Sequence, residues 1–177
     1  MKDEALDKYA TRLLLQIKTN KPVLIGLSFG GIIAIEVAKR IEIENIILIS
    51  SVKTKYELPS YYRFSGKLGL IKFLPTSLMK KANLINYWFF GVRSSIDRRL
   101  LREVLRDTDN AFFQWAIGRV ASWTNTEILP DIFHIHGSSD RILPFRFVQA
   151  DHTIKGGGHM MVLNKSSEID ALLVKLL

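Results

Sequence analysis

Three residues in this chain have the types and settings that nucleophilic chemistry needs: Ser28, Asp140 and His159. Ser28 sits in Gly26-Leu27-Ser28-Phe29-Gly30-Gly31, directly after the apolar residues 22–25 and directly before an apolar helical run at 32–38. A strand–turn–helix setting holds a serine on a strained turn with Oγ exposed, and small flanking residues let strand and helix approach. The helix that follows aims backbone N–H groups at any oxyanion formed beside the serine. The bland alternative is a glycine-rich turn that happens to contain a serine, which a bare G-x-S-x-G match does not exclude. Two later stretches weigh against it. In His136-Gly137-Ser138-Ser139-Asp140-Arg141-Ile142-Leu143-Pro144, a short apolar strand ends in a glycine turn and a carboxylate follows. In Gly156-Gly157-Gly158-His159, three glycines free the backbone to place one imidazole. The order Ser, Asp, His, each just past a strand end, suits attack by a hydroxyl whose proton passes to an imidazole steadied by a carboxylate.

The elements around these residues alternate. Leu6, Tyr9, Ala10, Leu13, Leu14 and Ile17 recur at helical spacing, so residues 3–19 read as an amphipathic helix. Residues 23–27 and 45–50 are too apolar for half-exposed strands and fit strands buried on both faces. A helix over about 30–41 separates them. Further strands are expected near 132–136 and 152–154, with a closing helix from Ser166 that carries Ile169, Leu172, Leu173 and Leu176. Strands separated by helices imply a parallel sheet, whose active site belongs at the C-terminal strand ends.

From about Leu6 to its C-terminus, the chain resembles the α/β-hydrolase superfamily. The motifs carrying the likeness are Gly26-Leu27-Ser28-Phe29-Gly30-Gly31, His136-Gly137-Ser138-Ser139-Asp140-Arg141-Ile142-Leu143-Pro144 and Gly157-Gly158-His159. The resemblance implies Ser28 as nucleophile, Asp140 as acid, His159 as base and the Phe29 N–H as an oxyanion-hole donor. It implies no cofactor and no metal. Small bacterial esterases and acyl-carrier methyl esterases are the most similar members. The implied activity is therefore hydrolysis of carboxylic esters through an acyl-serine. A carboxylate nucleophile, which dehalogenases and epoxide hydrolases of this fold need, is absent at position 28.

The resemblance also implies strands that have no counterpart here. Only about 20 residues precede the nucleophile strand, enough for one helix. The expected architecture is an α/β-hydrolase fold lacking its N-terminal strands, with one edge of the nucleophile strand unpaired. An upstream loop that normally supplies a second oxyanion donor would be missing too. Three accounts are open: Met1 is an internal start of a longer protein, the chain dimerises through the exposed sheet edge, or the fold survives with little activity. An inactive fragment, or a non-catalytic protein that binds a partner through that edge, is the alternative to an enzyme.

Residues 53–125 fall where hydrolases of this fold carry a helical cap, leaving 1–52 and 126–177 as the core. This stretch holds 13 Lys and Arg against 5 Asp and Glu, so the formal net charge of +8 comes from it alone. Aromatic and apolar residues interleave with the bases: Tyr61, Tyr62, Phe64, Leu68, Leu70, Ile71, Phe73, Leu74, Tyr87, Trp88, Phe89, Phe90, Phe112, Phe113 and Trp115. One reading is a set of solvated amphipathic helices. The other is an apolar acyl tunnel under a basic rim that attracts an anionic substrate or an acidic acyl carrier. Docking on a membrane surface is a further reading. No recognised motif accompanies the bases to suggest nucleic acid.

Several residues have weaker claims. His134 and His136 share a strand face but have no third ligand in sequence reach, and read as packed or hydrogen-bonded residues. Asp107 and Asp109 rival Asp140 in type but lack the strand-end glycine turn. Asp151 and His152 precede a strand and so fall at the wrong end of the sheet. Met160 and Met161, beside the histidine, line the pocket floor or pack beneath it, with no catalytic role of their own. The absence of cysteine excludes disulfides, thiolate zinc sites and a cysteine nucleophile. A charged N-terminus without an apolar h-region, and no run of ~20 apolar residues, point to a cytoplasmic protein.

Overall fold

The computed structural model describes residues 4–70 and 76–177. Strands β1 (Val23–Leu27), β2 (Asn45–Ile49), β3 (Ile132–Gly137) and β4 (His152–Ile154) form one parallel sheet in the order β1-β2-β3-β4. The alternation of β2 explains how both faces are covered. Ile46 and Leu48 pack with Ile32 and Ile35 of helix α2 (Phe29–Ala38), together with Val52, Leu58 and Trp123. Ile47 and Ile49 face the other way, with Ile135, Ile154, Met161 and Ile169. Ile169 belongs to the last helix, α9 (Ser166–Leu176). Ile46, Ile47 and Leu48 are fully buried, each contributing about 1.5–3 kcal/mol through loss of apolar surface to water.

β1 pairs with β2 alone and lies at the edge of the sheet. Ile25, at its centre, is 49% exposed. The strand that leads into Ser28 therefore has an open edge.

Helix boundaries differ from the periodicity. Helix α1 spans Leu6–Leu13 and tightens into a 3-10 turn at Leu14–Gln16, where 3–19 was expected; residues 1–3 lie outside the described set. Leu15 points into solvent, Ile17 is extended and Lys21 has φ 47°, because the chain must reverse into β1. At the end of α2, the Arg40 N–H donates to the Val37 carbonyl, a tightened turn that closes the helix before Ile41.

Between β2 and β3 the chain is mainly helical: α3 (Ser60–Lys67), α4 (Thr76–Met79), α5 (Leu84–Phe90), α6 (Ser95–Asp107) and α7 (Asn110–Ala121). Asn83, Ser94 and Asp109 cap α5, α6 and α7, each accepting from the amide three residues on. Trp123 ties this segment to the core by donating from Nε1 to Glu36 Oε1 at 2.9 Å. Its aromatics divide: Tyr87 and Trp115 are buried, whereas Tyr61, Phe64, Trp88 and Phe89 are exposed. Ile71, Phe73 and Leu74 lie outside the described residues. A short helix α8 (Met161–Asn164) precedes α9.

Candidate active site

Ser28 occupies the turn between β1 and α2 with φ 51° and ψ −119°. For a residue with a side chain, such a backbone costs of order 1–3 kcal/mol and persists only where its surroundings hold it. Here the Ser28 N–H donates to the Ile49 carbonyl at 2.9 Å. Its own carbonyl accepts from the Gly31 N–H at 3.0 Å and from the Ser51 hydroxyl at 2.7 Å. The glycines at two flanking positions are sterically required. A Cβ on Gly26 would lie 2.4 Å from Gly31 Cα, and one on Gly31 would lie 2.3 Å from Ser51 Oγ. Gly30 differs, since nothing lies within 4 Å of the Cβ it lacks.

Asp140 follows β3 and is buried. Its Oδ1 accepts from the amides of Ile142 (2.8 Å) and Leu143 (2.9 Å), and its Oδ2 lies 2.8 Å from His159 Nδ1. His159 Nε2 lies 2.8 Å from Ser28 Oγ. An ionised carboxylate only accepts, so the imidazole proton belongs on Nδ1 and Nε2 is left to receive the serine proton. The structure thus brings Ser28, Asp140 and His159 into one hydrogen-bonded row, from three separate C-terminal strand ends. The backbone N–H of Phe29 lies in the first turn of α2, where amides have no helical carbonyl partner. The Phe29 ring packs edge-on to Trp115 at 5.6 Å, under α7.

The histidine loop is held from two sides. Gly157 accepts from the Ser139 N–H at 2.9 Å, and a Cβ on Gly137 would meet that same carbonyl oxygen at 2.3 Å. On the other side α5 ends at Gly91, whose φ of 73° turns the chain directly onto Gly158. A Cβ on either of this pair would lie 2.6 Å from the other's Cα. The Phe90 carbonyl accepts from the Met160 N–H at 3.0 Å, and the Phe90 ring stands 6.0 Å from the imidazole. Met160 and Met161 are buried packing residues.

His134 and His136 are fully buried and form a second row behind Asp140. His136 Nε2 lies 2.8 Å from the Leu143 carbonyl and 3.5 Å from Asp140 Oδ2. A carbonyl only accepts, so His136 carries its proton on Nε2, and its Nδ1 accepts from His134 Nε2 at 3.2 Å. This leaves His134 Nδ1 as a buried acceptor without a partner. Burial pulls both imidazoles below their ordinary value. His134 falls to about 3, with His136 and Lys53 adding to the effect, while Asp140 partly opposes the shift at His136.

The sign of the consequence follows from linkage. A histidine that is harder to protonate when folded stabilises the fold fully above its unfolded value near 6.5, and loses that stability as pH falls towards about 3. His134 alone should contribute a slope of about 1.4 kcal/mol per pH unit within that window. Melting temperature should therefore fall as pH is lowered from 6.5, and His134→Gln should flatten the fall. An unchanged acid slope in His134→Gln would contradict the assignment.

The rival acids have other roles. Asp107 pairs with Arg106 at 2.8 Å on α6, and Asp109 caps α7. Asp151 accepts from the backbone N–H of His134 and lies 3.5 Å from Lys53 Nζ. His152 opens β4, in register with Ile135. No group of three metal-ligating side chains occurs among the described residues, nor is any helix there long and apolar enough to cross a membrane. A cavity of about 540 Å³ lies at the opposite sheet end, between Leu14, Lys21 and Glu42, away from Ser28.

Sequence reading singled out neither Ser51 nor His136 as support for the site. The signals were present: a serine directly after a buried strand, and a histidine directly before the glycine turn that carries the acid.

A model of the alpha/beta hydrolase family matches residues 3–172. The chain belongs to that family. No curated protein matches its sequence. Alpha/beta hydrolases and related enzymes of known structure share the fold. MenH from S. aureus superposes with a TM-score of 0.67 at 18% identity, covering 99% of this chain and 76% of that one. The esterase EaEST from Exiguobacterium antarcticum gives 0.62 at 16% identity, over 96% of this chain and 71% of the other. Bromoperoxidase from Bacillus anthracis gives 0.63 at 16%, over 97% and 74%.

Proposed function

We propose that this alpha/beta hydrolase cleaves carboxylic esters with Ser28 as nucleophile, His159 as base and Asp140 as the acid that orients it. The observation that carries the reading is the unbroken path from Asp140 Oδ2 through His159 to Ser28 Oγ, with 2.8 Å at each step. A serine hydroxyl is a weak nucleophile until a base accepts its proton, and His159 Nε2 is placed to do so. Attack on the ester carbonyl gives a tetrahedral oxyanion that the Phe29 N–H would meet. His159 then returns the proton to the leaving alcohol, and the acyl-serine is hydrolysed by water. Asp140 keeps the proton on Nδ1 and steadies the imidazolium. An esterase stands among the structural neighbours. An anionic group on the ester, or an acidic carrier bearing it, suits the formal net charge of +8.

Rapid mixing with p-nitrophenyl butyrate tests this reading. The expected result is a burst of p-nitrophenolate stoichiometric with protein, followed by slower turnover. Absence of both burst and turnover, together with stable self-association through the open edge of β1, would favour a non-catalytic partner-binding protein.

A further inference from the structure

We propose that a cavity beside the candidate active site binds an anionic group of the substrate, a carboxylate or a phosphate; this rests on the ester hydrolase reading. The cavity measures about 380 Å³, and its lining includes Tyr87, Trp88, Gly91, Arg93, Arg98 and Arg141. Three guanidinium groups and no carboxylate line it. Among the described residues none of the three forms an ion pair, although arginines elsewhere do so, at Glu4, Glu36 and Asp107. Arg98 lies over the Tyr87 ring at 5.3 Å with its Nε buried and without a hydrogen-bond partner. Arg141 stacks on Trp88 at 4.2 Å, and its Nη1 donates to the Trp88 carbonyl at 2.9 Å. Arg93 extends into solvent.

Three like charges around one cavity repel, and a partly buried cation without a counter-ion is costly. One anion resolves both costs. The two aromatic rings fix Arg98 and Arg141 as planar forks, the geometry that recognises carboxylate and phosphate oxygens two at a time. The location makes such an anion part of a substrate. Arg141 follows Asp140 in the chain, and Gly91 packs on Gly158, the residue before His159. The cavity thus borders both the acid turn and the histidine loop, each at one residue's remove.

Two measurements keep this claim separate from the hydrolase claim. Calorimetric titration of Ser28→Ala with inorganic phosphate and with succinate needs no turnover. Saturable binding of either is expected, and the one bound more tightly identifies the anion. Arg98→Gln, and independently the exposed Arg93→Gln, should weaken that binding about tenfold or more, as loss of a charge-assisted hydrogen bond does. Arg106→Gln, at an exposed arginine paired with Asp107, should leave it unchanged. In the Ser28-containing protein, mono-p-nitrophenyl succinate should be preferred over p-nitrophenyl butyrate in kcat/KM, with the ratio falling about tenfold in Arg98→Gln. Binding without any ester turnover would uphold the cavity and sink the hydrolase reading. Turnover without anion binding would overturn the cavity assignment, as would binding that survives both arginine substitutions or that falls equally in Arg106→Gln.

Discussion

Ser28→Ala should lower ester turnover by about a millionfold, as removal of the nucleophile does in a serine protease. The loss should appear in kcat, because the alanine leaves the surroundings of the substrate in place while removing the atom that forms the acyl intermediate. The fold should persist. The bonds that hold the turn, from Ser28 N–H to Ile49 and from Ser51 to the Ser28 carbonyl, are made by backbone atoms of residue 28 and survive the substitution. A melting temperature close to that of the starting protein, measured beside the kinetics, separates chemistry from misfolding. Turnover within tenfold of the original would remove Ser28 from the mechanism.

Asp140→Asn should lower turnover by about ten-thousandfold, the effect of a wrong histidine tautomer in this chemistry. The geometry explains why asparagine would misplace the proton. Oδ1 of Asp140 receives two amide donors, from Ile142 and Leu143, so an asparagine must keep its carbonyl oxygen there. Its NH2 would then face His159 Nδ1 in place of Oδ2 and donate to it. Nδ1 becomes the acceptor, the ring proton moves to Nε2, and Nε2 can no longer take the proton of Ser28. Asp107→Asn and Asp109→Asn serve as controls, the second because asparagine still caps a helix. Near-wild-type rates are expected for both. If either control falls by orders of magnitude while Asp140→Asn does not, Asp140 is not the acid.

Much of this arrangement was legible in the chain because local signals and global topology agree. Gly26 and Gly31 mark the tight strand–helix approach around Ser28, and the apolar run at 45–50 marks a strand covered on both faces, whereas the equally apolar run at 23–27 forms an edge strand whose Ile25 is half exposed. Gly156, Gly157 and Gly158 mark the loop that places His159. Helix ends were less legible, since Leu14 and Ile17 continue the apolar period of α1 although the chain has already tightened into a 3-10 turn and then turned towards β1. Tertiary turning overrides local periodicity there. The arginine-lined cavity was invisible for another reason. Arg93 and Arg98 lie more than forty positions before Arg141, and only the packing of Gly91 on Gly158 brings them together. Sequence showed that residues 53–125 are basic, but not which bases share one cavity.

The central claim is that Ser28 is a nucleophile activated by His159, and the most direct measurement is covalent capture. The folded protein would be treated with a fluorophosphonate probe and the modified peptide located by mass spectrometry. A single adduct on Ser28, lost in both Ser28→Ala and His159→Ala, is the predicted result. Labelling that persists in Ser28→Ala, or a folded protein that takes up no probe, would contradict it.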